Sequence, residues 1–126
     1  MTTDPIKGTW LPFKAERAGE HAPDMALAKI RLVISDDSYA VHFGNEISDE
    51  GCYALGATEQ FQTITLVSVC GTNEGRTIPS IYQLTGDRLR ICYGLDGTLP
   101  DAFVSELGDE RYLVTYRRIQ QATEAP

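Results

Sequence analysis

The sequence predicts an all-β domain, an eight-stranded antiparallel up-and-down β-barrel, and three observations carry that expectation. Apolar and polar residues alternate with a period of two along most of the chain, as in strands with one buried face. Turn formers interrupt the alternation about every eight to twelve residues. Helical spacing is almost absent: only Pro23-Asp24-Met25-Ala26-Leu27-Ala28 reads as a short helical turn. Closing such a series of strands on itself removes the exposed edges that invite aggregation. The same periodicity also permits an open sandwich of two sheets.

The first strand covers residues 7–16 and opens on Gly8-Thr9-Trp10. A polar stretch then leads into the helical turn, which Asp24 is placed to cap through its carboxylate. Strands at 29–35 and 39–44 are joined by Asp36-Asp37-Ser38, whose short polar side chains bond nearby amides and favour a tight turn. Strands at 51–58 and 61–70 form a second hairpin, with Gly51 and Gly56 marking a place for a β-bulge. The clearest pair is 76–84 with 88–95, because Gly86 between them can take the positive φ of a hairpin turn. A longer loop runs through 100–108, the last strand covers 111–119, and 120–126 reads as a frayed tail. No repeat or linker divides the chain, so residues 1–126 form a single domain.

Eighteen acidic against eleven basic residues give a net charge of -7. Neither nucleic acid nor an anionic membrane surface is expected as a partner, since both need clustered Lys and Arg. No apolar run approaches the ~20 residues that cross a bilayer. The start, MTTDPIKGTW, has no basic segment followed by an apolar one, so no signal peptide is expected. Cys52, Cys70 and Cys92 are odd in number and widely spaced, which favours reduced thiols and a cytoplasmic location.

Gly8-Thr9-Trp10 near the start and Arg117-Arg118 in the last strand resemble the lipocalin (calycin) arrangement. There a Gly-x-Trp motif opens the barrel and an Arg of the final strand covers the indole. The resemblance implies that role for Arg118, with Arg117 as the alternative, and a guanidinium is suited to it because it stacks on indole while bonding free carbonyls. The stretch from Ile81 to Tyr93, with its Tyr82-Gln83-Leu84-Thr85-Gly86-Asp87-Arg88-Leu89-Arg90-Ile91-Cys92 hairpin, and Pro100-Asp101-Ala102-Phe103 are similar to an uncharacterised family of bacterial lipocalin-like domains common in Planctomycetes. That likeness implies a barrel and carries no agreed activity.

Chemistry-bearing clusters are few. Trp10 reads as barrel closure rather than as a ligand platform. No Cys or His pair has the spacing of a structural zinc site, so no metal is expected, and no motif implies a cofactor. The three cysteines read as small buried hydrophobes on three strands. Cys92 and His42 are the residue types of a thiolate–imidazole pair, yet both read as wall residues. His21 reads as solvated. Asp36, Asp37, Glu46, Asp49, Glu50, Asp101, Glu106, Asp109 and Glu110 read as solvated turn carboxylates. The segment 72–77 has too little glycine for a phosphate loop.

The interior is therefore the expected site. Alternation turns Ile30/Leu32/Ile34, Tyr39/Val41/Phe43, Tyr53/Leu55, Tyr82/Leu84, Leu89/Ile91/Tyr93 and Tyr112/Val114/Tyr116 inward. Phenols offer an apolar face and a hydrogen-bonding tip. Tyr39, Tyr53, Tyr82, Tyr93 and Tyr116, with Phe43, Leu32 and Ile91, are accordingly the expected contacts of a ligand. The expected function is non-covalent binding of a small, largely apolar, ring-containing molecule. Two alternatives stay open: a cofactor-free isomerase or cyclase using the barrel as a preorganised pocket, and a protein-interaction module such as an immunity or accessory protein.

Overall fold

The computed structural model describes residues 6–106 and 111–119. In chain order the elements are β1 (Gly8–Arg17), β2 (Glu20–His21), α1 (Asp24–Leu27), β3 (Ile30–Ile34), β4 (Ser38–Phe43), β5 (Glu46–Ala57), β6 (Gln62–Gly71), β7 (Thr77–Thr85), β8 (Arg88–Gly94) and β9 (Arg111–Arg118). Eight strands pair antiparallel in the order β1-β3-β4-β5-β6-β7-β8-β9, and β9 returns to β1. The ring is closed, which decides against the open sandwich. The two-residue β2 adds only to the far end of β1, at Glu16 and Arg17. Among the described residues no helix is long and apolar enough to cross a membrane.

The β1–β3 ladder is short, covering only Gly8–Trp10 against Leu32–Ile34. Beyond it β1 and β3 part, and the β2–α1 segment occupies the gap. There Leu27 is buried in the core cluster and Ala22 packs against it. Asp24 does not cap the helix, contrary to expectation: the N-cap is Pro23, with no side-chain bond. One turn of helix persists here because Leu27 is buried, not because its ends are capped.

Three parts of the chain depart from the sequence reading. First, β5 begins at Glu46 rather than at 51, directly after a Gly44-Asn45 turn in which Gly44 has φ 64°. Its first residues are mostly polar and its Ile47 is exposed, so hydrophobic periodicity gives no sign of a strand there. Second, the register shifts fall elsewhere than between Gly51 and Gly56, where β5 pairs without interruption. They lie at Phe13 in β1, at Ser48 in β5 and at Val69 in β6. Third, Ile81 belongs to the outward-facing set, yet it is 0% exposed, and Cys92 opposite it is as fully buried, in keeping with the reading of that thiol as a small hydrophobe. The loop after β8 folds back over them: Cys92 Sγ donates to the Val104 carbonyl, and Phe103 packs edge-on against Phe61 and beneath Arg90. Of the three thiols only Cys92 is buried; Cys52 and Cys70 are free and exposed, because they sit on the outer face of β5 and β6 with nothing over them. Residues 120–126, expected to fray, and Asp109 and Glu110 lie outside the described residues.

One end of the barrel is plugged by Trp10, which is 0% exposed and donates its indole N–H to the Ile6 carbonyl at 2.9 Å. Trp10 pairs across the seam with Arg118, whose guanidinium lies 4.3 Å from the centre of the indole. The same guanidinium donates to the Lys7 carbonyl at 2.6 Å and to Asp87 in the β7–β8 turn at 3.1 Å. Gly8 makes the approach feasible, with φ at 142° and a position where a Cβ would sit 2.9 Å from Arg118 Nη1. Arg117 pairs with Leu11 and Arg88 and is exposed. Nearby, Tyr53 donates to the Ser35 carbonyl at 2.6 Å, and Lys7 pairs with Asp36. The β3–β4 turn is thereby fastened to the same end.

Removing the plug should be costly. Trp10→Ala is expected to lose about 3–5 kcal/mol, the usual range for a fully buried large aromatic. The check is the denaturant midpoint at unchanged m-value, and a loss under about 1 kcal/mol would contradict a structural role for Trp10.

Candidate ligand cavity

The other end of the barrel holds a cavity of about 240 Å³. Its deeper wall is apolar, supplied by Leu32, Leu66, Ile78 and Val114 from four strands. Ile30, Phe43 and Tyr112, at or next to the ends of their strands, and Leu95, just after β8, form its partly exposed rim. Thr72 and Asn73 of the β6–β7 turn reach in from one side. Among the described residues no Lys, Arg or His belongs to the lining.

Of the residues expected to contact a ligand, Tyr39, Tyr93, Tyr116, Leu32 and Phe43 line this cavity together. Phe43 does so from the rim and is 48% exposed. Tyr53, Tyr82 and Ile91 are buried but are not part of the lining. Tyr53 lies toward the plugged end, where its hydroxyl is engaged by the β3–β4 turn. Tyr112, from the same inward set as Tyr116, is a further wall residue and stacks on Tyr93 with ring centres 5.8 Å apart. His42 and Cys92 point outward from β4 and β8, so they do not form a pair.

The most informative side chain is one that sequence reasoning set aside. Asp49 reads as a solvated turn carboxylate, but it lies within β5, is 6% exposed and lines the cavity. The cause is backbone count. Phe43 faces Glu46 and His42 faces Ile47, after which Val41 faces Asp49, so Ser48 is an extra residue. Two residues then oppose one, as in a β-bulge, and Ser48 and Asp49 both come to the cavity side. On the facing strand Gly71, with φ at 104°, leaves the room this needs: a Cβ there would meet the Ser48 carbonyl oxygen at 2.3 Å. The Gly44-Asn45 turn was the signal available in the sequence, since a tight hairpin there starts β5 at once.

Three donors converge on Asp49. Ser68 donates to Oδ1 at 2.5 Å, Asn73 to Oδ2 at 3.2 Å and Tyr39 to Oδ2 at 3.3 Å. A carboxylate with both oxygens accepting satisfies donors from β4, β6 and the β6–β7 turn at once. A second polar pair lies deeper, where the Tyr93 and Tyr116 hydroxyls meet at 2.7 Å. Burial, with the Asp49 charge beside it, pushes the Tyr39 phenol up to about 12. Burial likewise raises Tyr93, Tyr116 and Tyr112 above the ordinary phenol range. These phenols stay neutral at physiological pH and act as hydrogen-bonding groups. Among the described residues no three His, Cys, Asp or Glu side chains gather as a metal site would.

The raised phenols fix the sign of the alkaline response. Below about pH 10 the unfolded phenols are protonated as well, and the buried tyrosines contribute their full stability. From there up through about pH 12, the unfolded chain releases protons that the folded chain retains, so stability falls as pH rises. Urea midpoints at pH 8, 10 and 11 should show a drop that is steeper per pH unit in the upper interval than in the lower. The double replacement Tyr93→Phe with Tyr116→Phe should flatten that drop, and an unchanged slope would contradict the assignment.

Comparison with known protein families, curated proteins and solved structures finds no match for this chain.

Proposed function

We propose that the barrel binds a small, largely apolar, ring-containing molecule non-covalently. The observation that carries this reading is the cavity itself: about 240 Å³, apolar-walled, with polar groups at few points. A cavity of about 150 Å³ accepts benzene, so this one suits a ring with a short substituent or a compact bicycle. Binding is favoured over catalysis because the wall phenols are held neutral and Asp49 is already engaged by three donors. The reading takes the chain as lipocalin-like, on the strength of Trp10, Arg118 and the up-and-down order. It also keeps the likeness to the bacterial lipocalin-like domains and the cytoplasmic location as parts of the proposal.

Native mass spectrometry of protein purified from its own host should find a retained small molecule. Val41→Phe adds bulk to the cavity wall and is expected to weaken that ligand at least tenfold while the far-UV spectrum is kept. Tyr93→Phe should cost roughly 0.5–1.5 kcal/mol of affinity, the worth of one hydrogen bond with little loss of packing. Equal affinity in the unaltered chain and in both variants would reject the cavity as the site and favour a protein-interaction role for the barrel.

A further inference from the structure

Among the described residues the wall of the cavity carries one carboxylate and no basic side chain. An acidic side chain 6% exposed is costly to bury unless its charge is answered. Ser68, Asn73 and Tyr39 answer it with dipoles. None of the ion pairs among the described residues involves Asp49. Arg76 stops one side chain short: it bonds to the far end of Asn73 and to the Leu95 carbonyl, and it is exposed. A carboxylate offers about four lone-pair positions, and the three donors leave room for one more.

The geometry points to a cationic ligand: a small ring-containing amine whose ammonium group is received by Asp49 while its ring lies against the apolar wall. This inference rests on the reading of the cavity as a ligand site. An ammonium supplies the donor and the positive charge that the site lacks, and a charge-assisted bond of this kind is stronger than a neutral one. Tyr39, Tyr93 and Tyr112 line the same cavity, and aromatic rings are favourable neighbours for a cation. An alcohol of the same shape would supply the donor without the charge, and an anion would be repelled. The net charge of -7 works in the same direction, by raising the local concentration of cations.

Two amine probes of suitable size, tryptamine and 2-phenylethylamine, are to be titrated calorimetrically into the unaltered protein at neutral pH and low salt. Their alcohols, tryptophol and 2-phenylethanol, and the acids indole-3-acetate and phenylacetate complete the series. Each amine is expected to bind at least tenfold more tightly than its alcohol, and the acids not at all. Asp49→Asn should erase the amine's advantage while leaving the alcohol's affinity within threefold. The amine–alcohol comparison needs no variant, so it decides the matter even if Asp49→Asn does not fold. Equal affinities of amine and alcohol would overturn the inference and leave Asp49 as an anchor for Ser68 and Asn73, with the cavity reading intact. Binding of none of the six compounds at millimolar concentration would overturn the cavity reading and this inference together.

Discussion

A sheet that pairs each strand with the next still has two edges, and here the pairing of Trp10–Arg17 with Tyr112–Arg118 removes both. The interior exists because of that seam. Along it the backbone groups of β1 and β9 find partners, so neither strand offers a template to another chain. The seam is held at its weakest point, the end of the barrel, by one guanidinium. Arg118 covers the indole, bonds the carbonyl of Lys7 before β1, and reaches Asp87 in a third element. Its planar fork is what allows one side chain to serve three partners; a lysine in its place would be a single point of charge.

Plugging one end concentrates the chemistry at the other. The cavity is an apolar space into which the fold has brought one acid, and the low local polarity strengthens every interaction made there. Each donor to Asp49 comes from a different part of the chain, so the carboxylate also fixes the β6–β7 turn over the mouth. Oδ2 accepts from both Asn73 and Tyr39 and Oδ1 from Ser68 alone, so the unused acceptor position lies on Oδ1.

Much of this architecture was legible in the sequence because turn chemistry and alternation agree with each other. Gly86 between two alternating runs, the Asp36-Asp37-Ser38 link and the final 111–119 strand each place an element close to where it lies. Gly8-Thr9-Trp10 and Arg118 likewise stand together at one end of the barrel. Legibility fails where a strand does not carry its own hydrophobic face. In residues 46–50 the inward positions are polar and the apolar Ile47 points to solvent, so the pattern reads as loop and Asp49 as a surface charge. It fails again at Ile81, and in the opposite sense at Cys52 and Cys70, because alternation says which face a side chain takes but not whether another segment will cover that face. Tyr53 illustrates a third gap: its inward direction was readable, whereas its position along the barrel axis, nearer the plug than the cavity, depends on the register of β4 against β5.

The bulge at Ser48 has an evolutionary side. A regular hairpin continuing from Gly44-Asn45 would set the forty-eighth residue, a serine, opposite Val41. Excision of the single codon for Asp49 restores that regular ladder, leaves Glu50 opposite Ala40, and moves no other wall residue to the opposite face. The cavity would thereby pass from charged to neutral in one genetic event. On the proposed reading of the cavity, ligand class would then be a property of strand length at one hairpin, open to change by insertion and deletion as readily as by substitution.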